Sequence, residues 1–185
     1  MKLNEVELEA IKIWTSAEQH EYRYIKGIQR GDYNGNLYEH YKEYSYALIG
    51  LFEKYKDNTQ GQILYRGDVL EDTVKGLSED EIYKKYLYDN PIGKCISLED
   101  TILSFTLSED IASKSYRNSD KNINDKTPTI LYILKNRKST FLDVSEFSKF
   151  PHEKEVLCNQ GIKFRVINIE EKENNHVVYF LEECL

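Results

Sequence analysis

Apolar residues recur at helical steps along the first sixty positions and gather into short runs over the rest of the chain. In residues 4–30, Val6, Leu8, Ala10, Ile11, Ile13, Trp14, Ala17, Tyr22, Tyr24, Ile25 and Ile28 follow a helix-like pattern, and Ser16 can restart a helix after Trp14. The stretch Gly31-Asp32-Tyr33-Asn34-Gly35-Asn36 has the chemistry of a loop. Residues 37–56 predict a second amphipathic helix, in which Leu37, Tyr41, Tyr44, Ala47, Leu48, Leu51, Phe52 and Tyr55 recur at three- and four-residue steps. After residue 61 the pattern changes to short β-rich runs at 62–66, 101–106, 129–135, 140–143, 155–158, 162–169 and 176–183. A helix is predicted from Ser78 to Tyr88, closed by Asn90-Pro91, and a short one after Ser108, an N-cap followed by Glu109 and Asp110. Residues 118–127 are polar and unpatterned, and Glu173-Asn174-Asn175-His176 reads as a hairpin turn.

Helices first and strands later predict an α+β domain. At 185 residues the chain suits one domain, 1–185, with a helical part at 1–60 and a mainly β core at 61–185. The net charge of −7 disfavours a polyanion, so nucleic acid is not an expected partner; a local basic pocket for a dinucleotide remains compatible. No run approaches membrane-spanning length and Met1–Ala10 lacks an apolar signal core, so a monomer made in the cytosol, with no membrane partner, is expected. Delivery elsewhere by another machine would leave no mark. Cys95, Cys158 and Cys184 lack zinc spacing and an even-numbered framework, which suggests reduced thiols. His20, His40, His152 and His176 are scattered, so no metal site is expected.

The candidate chemistry centres on Phe150-Pro151-His152-Glu153-Lys154-Glu155-Val156-Leu157. If this segment is a strand, Glu153 and Glu155 share one face and Lys154 points away. Two adjacent carboxylates repel each other, and a fold tolerates that most readily where they have a task. Solvated strands also carry Glu-x-Glu by chance, so the pair gains weight from two upstream segments. Ile63-Leu64-Tyr65-Arg66-Gly67 places an arginine at a strand end, and Leu103-Ser104-Phe105-Thr106-Leu107-Ser108 places a serine on a second apolar run.

Arginine on one strand, serine on a second and Glu-x-Glu on a third resembles the mono-ADP-ribosyltransferase family. The likeness is to its arginine–serine–glutamate branch, which includes bacterial toxins, phage-encoded members and ecto-enzymes. It runs from about residue 8 to the end. Ser104-Phe105-Thr106 departs from the Ser-Thr-Ser usual in that family. The resemblance implies two packed β-sheets, with N-terminal and flanking helices, around an NAD cleft. NAD would be the co-substrate.

The family roles then fall on particular residues. Arg66 would grip phosphate with its planar donors. Gly67 would let the backbone approach the nicotinamide amide. Ser104 would fix the rotamer of Glu155, and Thr106 would line the cleft. Glu155 would stabilise the positive charge that develops on the ribose as nicotinamide leaves. Glu153 would orient an acceptor guanidinium and take its proton. Phe150 would touch the target protein or serve as a hydrophobic staple, and the staple is the reading for Phe147. Tyr116 would lie against nicotinamide, and one of Arg117, Lys121 or Lys126 would add a phosphate contact. The expected activity is transfer of ADP-ribose to an accessible arginine of a target protein. The alternatives are an NAD glycohydrolase and a non-catalytic binding module on the same fold.

Overall fold

The helical signal of the first sixty residues resolves into three helices in a computed structural model, which describes residues 1–16, 20–70, 76–115, 127–136 and 138–184. They are α1 (Glu5–Trp14), α2 (Tyr22–Arg30) and α3 (Tyr38–Lys54). Then follow β1 (Leu64–Val69), α4 (Glu79–Asp89), β2 (Cys95–Ile96), β3 (Leu103–Thr106), α5 (Glu109–Ser115), β4 (Thr129–Asn136), β5 (Phe141–Asp143), β6 (Glu155–Cys158), β7 (Phe164–Glu171) and β8 (His176–Glu183). The α+β class and the order of the expected helices and strands agree with the sequence reading, to which the structure adds β2. The chain groups into two compact units, each described in turn.

Unit 1 comprises residues 1–60, 98–105 and 139–162. A capping box starts α1: the Asn4 side chain accepts the Glu7 N–H and the Glu7 carboxylate accepts the Asn4 N–H. The apolar stripes of the three helices bury Ala10, Ile11, Trp14, Ile25, Leu48 and Leu51. They pack with Leu142 of β5, Leu157 of β6 and the nearby Ile102 and Val144. Phe147 packs against this cluster. Strand β6 lies between β3 and β5, with Leu142 opposite Leu157. Helix α2 closes on Gly31, whose φ of 78° is the left-handed conformation that glycine adopts without a steric cost.

Unit 2 comprises residues 61–97, 106–138 and 163–185, and its strands run in the order β2-β7-β8-β4-β1. The β4–β8 pair is parallel and its neighbours are antiparallel. Residues 129–134 of β4 are buried on both faces, which is why Thr-Ile-Leu-Tyr-Ile-Leu is apolar without alternation. One face packs Leu131, Ile133 and Val178 against Ala112 of α5. On α4, the Tyr83 hydroxyl donates to Glu171, while Tyr86 shares a hydrogen bond with Tyr132 at 2.6 Å and sets its ring edge-on to Tyr179. A capping box of Ser78 and Glu81 starts α4.

Two features of unit 2 correct the sequence reading. The two-residue strand β2 is too short to show any pattern. Its pairing with β7 sets Cys95 opposite Arg165, and the Cys184 N–H bonds to the Lys163 carbonyl. Both cysteines thus reach the same end of β7. They form a disulfide with a Cα–Cα distance of 6.4 Å, where reduced thiols were expected. Cys158 is buried and takes no part in that disulfide.

Glu7 also joins α1 to α3, accepting from Lys54 Nζ at 2.8 Å with both carboxylate oxygens. Burial disfavours its charge, but Lys54 and the Asn4 N–H outweigh that and hold its carboxyl below the ordinary value of 4.5. A depressed carboxyl adds stability above its unfolded pKa and loses it as pH falls through the folded one. Glu7→Gln retains the capping geometry and removes the charge. The variant should melt below the parent at neutral pH, and the difference should shrink as pH falls below 4.5. Melting temperatures across pH 3–7 check this; a gap that does not depend on pH would rule out the ion pair as its source.

Candidate active site

The site residues of unit 1 are set by three segments. Pro151 opens a 3-10 turn, Pro151–Glu153, and Lys154 closes it in the left-handed region at φ 50°, ψ 49°. Strand alternation therefore begins only at Glu155. Glu153 lies in the turn, and the expectation that both glutamates project from one strand face does not hold. The cause is local: proline favours the first position of such a turn, and a left-handed residue breaks the extended run.

Glu155 opens β6 with 8% of its surface exposed. On β3, Ser104 Oγ donates to Glu155 Oε1 at 2.5 Å. From the last residue of α1, Trp14 Nε1–H donates to Ser104 Oγ at 2.9 Å. Lys26 Nζ stands 5.7 Å from the centroid of the Trp14 ring and is bonded to Glu99 at 2.6 Å. Phe105, where the resembled family carries a polar residue, is buried and packs edge-on to Phe141 of β5. Its place is structural.

Glu153 is half-buried, and burial pushes its carboxyl above the ordinary value while the adjacent His152 pulls against that shift. Phe150 is half-buried and sets its ring edge-on to His152, and its N–H bonds to Ser148 Oγ. Lys149 ties the same loop to the end of α1, through its N–H to Thr15 Oγ1 and its ammonium to Ser16 Oγ.

In unit 2, Arg66 and Gly67 lie on β1 opposite Tyr132 and Leu131 of β4. The Arg66 guanidinium is engaged by Asp68 at two points, Nε to Oδ2 at 2.7 Å and Nη2 to Oδ1 at 3.0 Å. Residues i and i+2 of a strand share a face, and the planar fork matches a carboxylate. Thr106 pairs with Tyr65 of β1, and its hydroxyl accepts the Ser108 N–H at 3.0 Å. Ser108 Oγ in turn accepts the Ile111 N–H at the start of α5, as an N-cap would. Tyr116, Arg117, Lys121 and Lys126 lie outside the described residues.

The structure therefore brings Ser104 and Glu155 together as the sequence reading expected. That reading missed Trp14 and Asp68. Asp68 was open to inference from its two-residue spacing to Arg66. Trp14 is 90 positions from Ser104 and carries no local signal.

No protein-family model and no curated protein sequence matches the chain. Solved structures do. The Vis ADP-ribosyltransferase of Vibrio splendidus, in complex with agmatine, superposes with a TM-score of 0.71 at 16% identity, over 98% of this chain and 75% of its own. An ADP-ribosyltransferase of Clostridium botulinum gives 0.70 at 20%, over 98% and 87%. Exoenzyme S of Pseudomonas aeruginosa, in complex with human 14-3-3 protein beta and bound to Carba-NAD, gives 0.66 at 19%, over 98% and 74%. At these identities the likeness establishes the fold, which is that of the ADP-ribosyltransferases.

Removing the serine hydroxyl leaves a buried carboxylate short of a donor. Ser104→Ala should cost about 1.5–3 kcal/mol of unfolding free energy at pH 7. Denaturant titration measures this; an unchanged midpoint would mean that solvent replaces the lost bond.

Proposed function

We propose that the chain is an NAD-dependent mono-ADP-ribosyltransferase that modifies arginine residues of target proteins, with 1–185 acting as a single catalytic domain. The observation that carries this reading is the Ser104–Glu155 hydrogen bond on a chain of ADP-ribosyltransferase fold. A buried carboxylate oriented by a hydroxyl is equipped to stabilise positive charge at the point where it develops.

Arg66 holds the phosphates of NAD, and Gly67 lets the backbone approach the nicotinamide amide. The glycosidic bond from ribose C1 to the nicotinamide nitrogen breaks, and nicotinamide leaves with the bonding pair. Glu155, on the ribose 2′-hydroxyl, stabilises the resulting oxocarbenium-like charge. An arginine nitrogen then forms a bond to C1. The guanidinium keeps its proton in water, because its pKa lies above about 12. Glu153 orients it and takes that proton during attack. Arginine as acceptor is supported by the carboxylate at Glu153. It is supported also by the neighbour complexed with agmatine, a guanidine. Phe150 is offered to the target protein by the loop that contains it.

Glu155→Gln should cut nicotinamide release and arginine labelling on the order of a hundredfold or more. NAD affinity should fall far less, since the stabilised charge arises mainly after binding. Unaltered turnover in this variant would defeat the assignment.

Glu153→Gln should separate the two reactions: water still cleaves NAD, while arginine labelling is lost. Burial holds the Glu153 carboxyl protonated to higher pH than usual, and only its ionised form can take a proton. Labelling by the parent should therefore rise along an acid limb above the ordinary 4.5, a limb that NAD hydrolysis lacks. Nicotinamide and labelled peptide are followed together across pH. Equal loss of both reactions would show that the two glutamates act as one unit.

A further inference from the structure

Building on that catalytic reading, we infer that Trp14 is a positioning residue, which fixes the direction of the Ser104 hydroxyl proton and so holds the Glu155 carboxylate in place. Indole Nε1–H is a donor only, so at 2.9 Å Ser104 Oγ is the acceptor. A serine hydroxyl has one proton. An ionised carboxylate only accepts, so that proton lies on the line to Glu155 Oε1, and the indole occupies an Oγ lone pair on the other side. Donor-only indole and acceptor-only carboxylate together set the direction of the chain, Trp14 to Ser104 to Glu155, and the fixed indole limits how the hydroxyl can turn. An isolated serine would rotate its proton among several acceptors. One held by a fixed donor does not.

The donor is itself held. Trp14 is 6% exposed and packed in the core of unit 1 with Ile11, Ile25 and Leu51. The Lys26 ammonium over its ring is anchored by Glu99, which also accepts from Thr101 Oγ1 at 2.9 Å. A cation at the indole face draws electron density from the ring and strengthens the N–H as a donor. From Glu99 to Glu155 the groups run anion, cation, ring, hydroxyl and anion, each set against a partner of complementary charge or dipole.

Two measurements test this, and they fail separately. Trp14 is the chain's single tryptophan, so a nitrogen-15 spectrum has one indole N–H signal. Its shift should change on Glu155→Gln, which replaces the charged acceptor of the Ser104 proton, and again on Ser104→Ala. A signal indifferent to both overturns the inference, whatever the protein catalyses. For catalysis, Trp14→Phe should lower kcat for nicotinamide release about three- to tenfold, the rate equivalent of one neutral hydrogen bond, with KM for NAD nearly unchanged. In the Ser104→Ala background the same substitution should add nothing further. Losses that multiply would mean that Trp14 acts by packing alone, and would overturn the inference. A parent protein that releases no nicotinamide overturns the catalytic reading, while the indole signal still decides whether Trp14 governs Ser104.

Discussion

A carboxylate taken out of water needs hydrogen-bond donors, and Glu155 imposes that need on unit 1. It sits at the first position of β6, where the backbone has only just left a left-handed residue. The donor comes from β3, so β3 and β6 must be neighbours in register. The donor's own partner comes from the end of α1, so the helix must stop at that height. The capping box at Asn4 sets where α1 begins, and the Glu7–Lys54 pair ties it to α3. Local helix chemistry at residue 4 thereby helps place an indole beside a catalytic candidate ten residues later.

The two units handle charge differently. In unit 1 the carboxylate accepts from a neutral hydroxyl, which in turn accepts from a neutral indole, with Lys26 set one ring further back. In unit 2 the guanidinium of Arg66 is matched by Asp68 at two points. That pairing orients the fork but reduces the net attraction for an anion. Orientation is gained at the expense of field, in a chain whose overall charge is already −7.

Much of this was legible in the residues themselves. The apolar steps of 37–56 become α3, and Ser78 with Glu81 marks the start of α4, because helix periodicity and capping are local properties. The long strands β4 and β8 announce themselves as apolar runs for the same reason. Illegible features depend on register or on distance in the chain. Strand β2 has two residues and no room for a pattern, and with it the Cys95–Cys184 pairing stayed hidden. Of the site, Ser104 and Glu155 were found through a motif. The geometry of Glu153 was misjudged because the segment was read as a strand throughout, although proline at position 151 favours a helical turn. Trp14 belonged to a helix pattern and was counted as core, which it also is.

The disulfide has a topological consequence for unit 1. Cys95 and Cys184 both belong to unit 2, yet the chain between them contains two of the three segments of unit 1, at 98–105 and 139–162. Ser104 and Glu155, 51 residues apart, are therefore enclosed in one covalent ring, while Trp14 and Arg66 stand outside it. In the oxidised unfolded chain the serine and the glutamate search for each other within a closed loop, with less conformational freedom to surrender. The indole must still arrive from an open end. Assembly of the buried carboxylate thus divides into a confined encounter and an unconfined one, and only the first is made easier by oxidation.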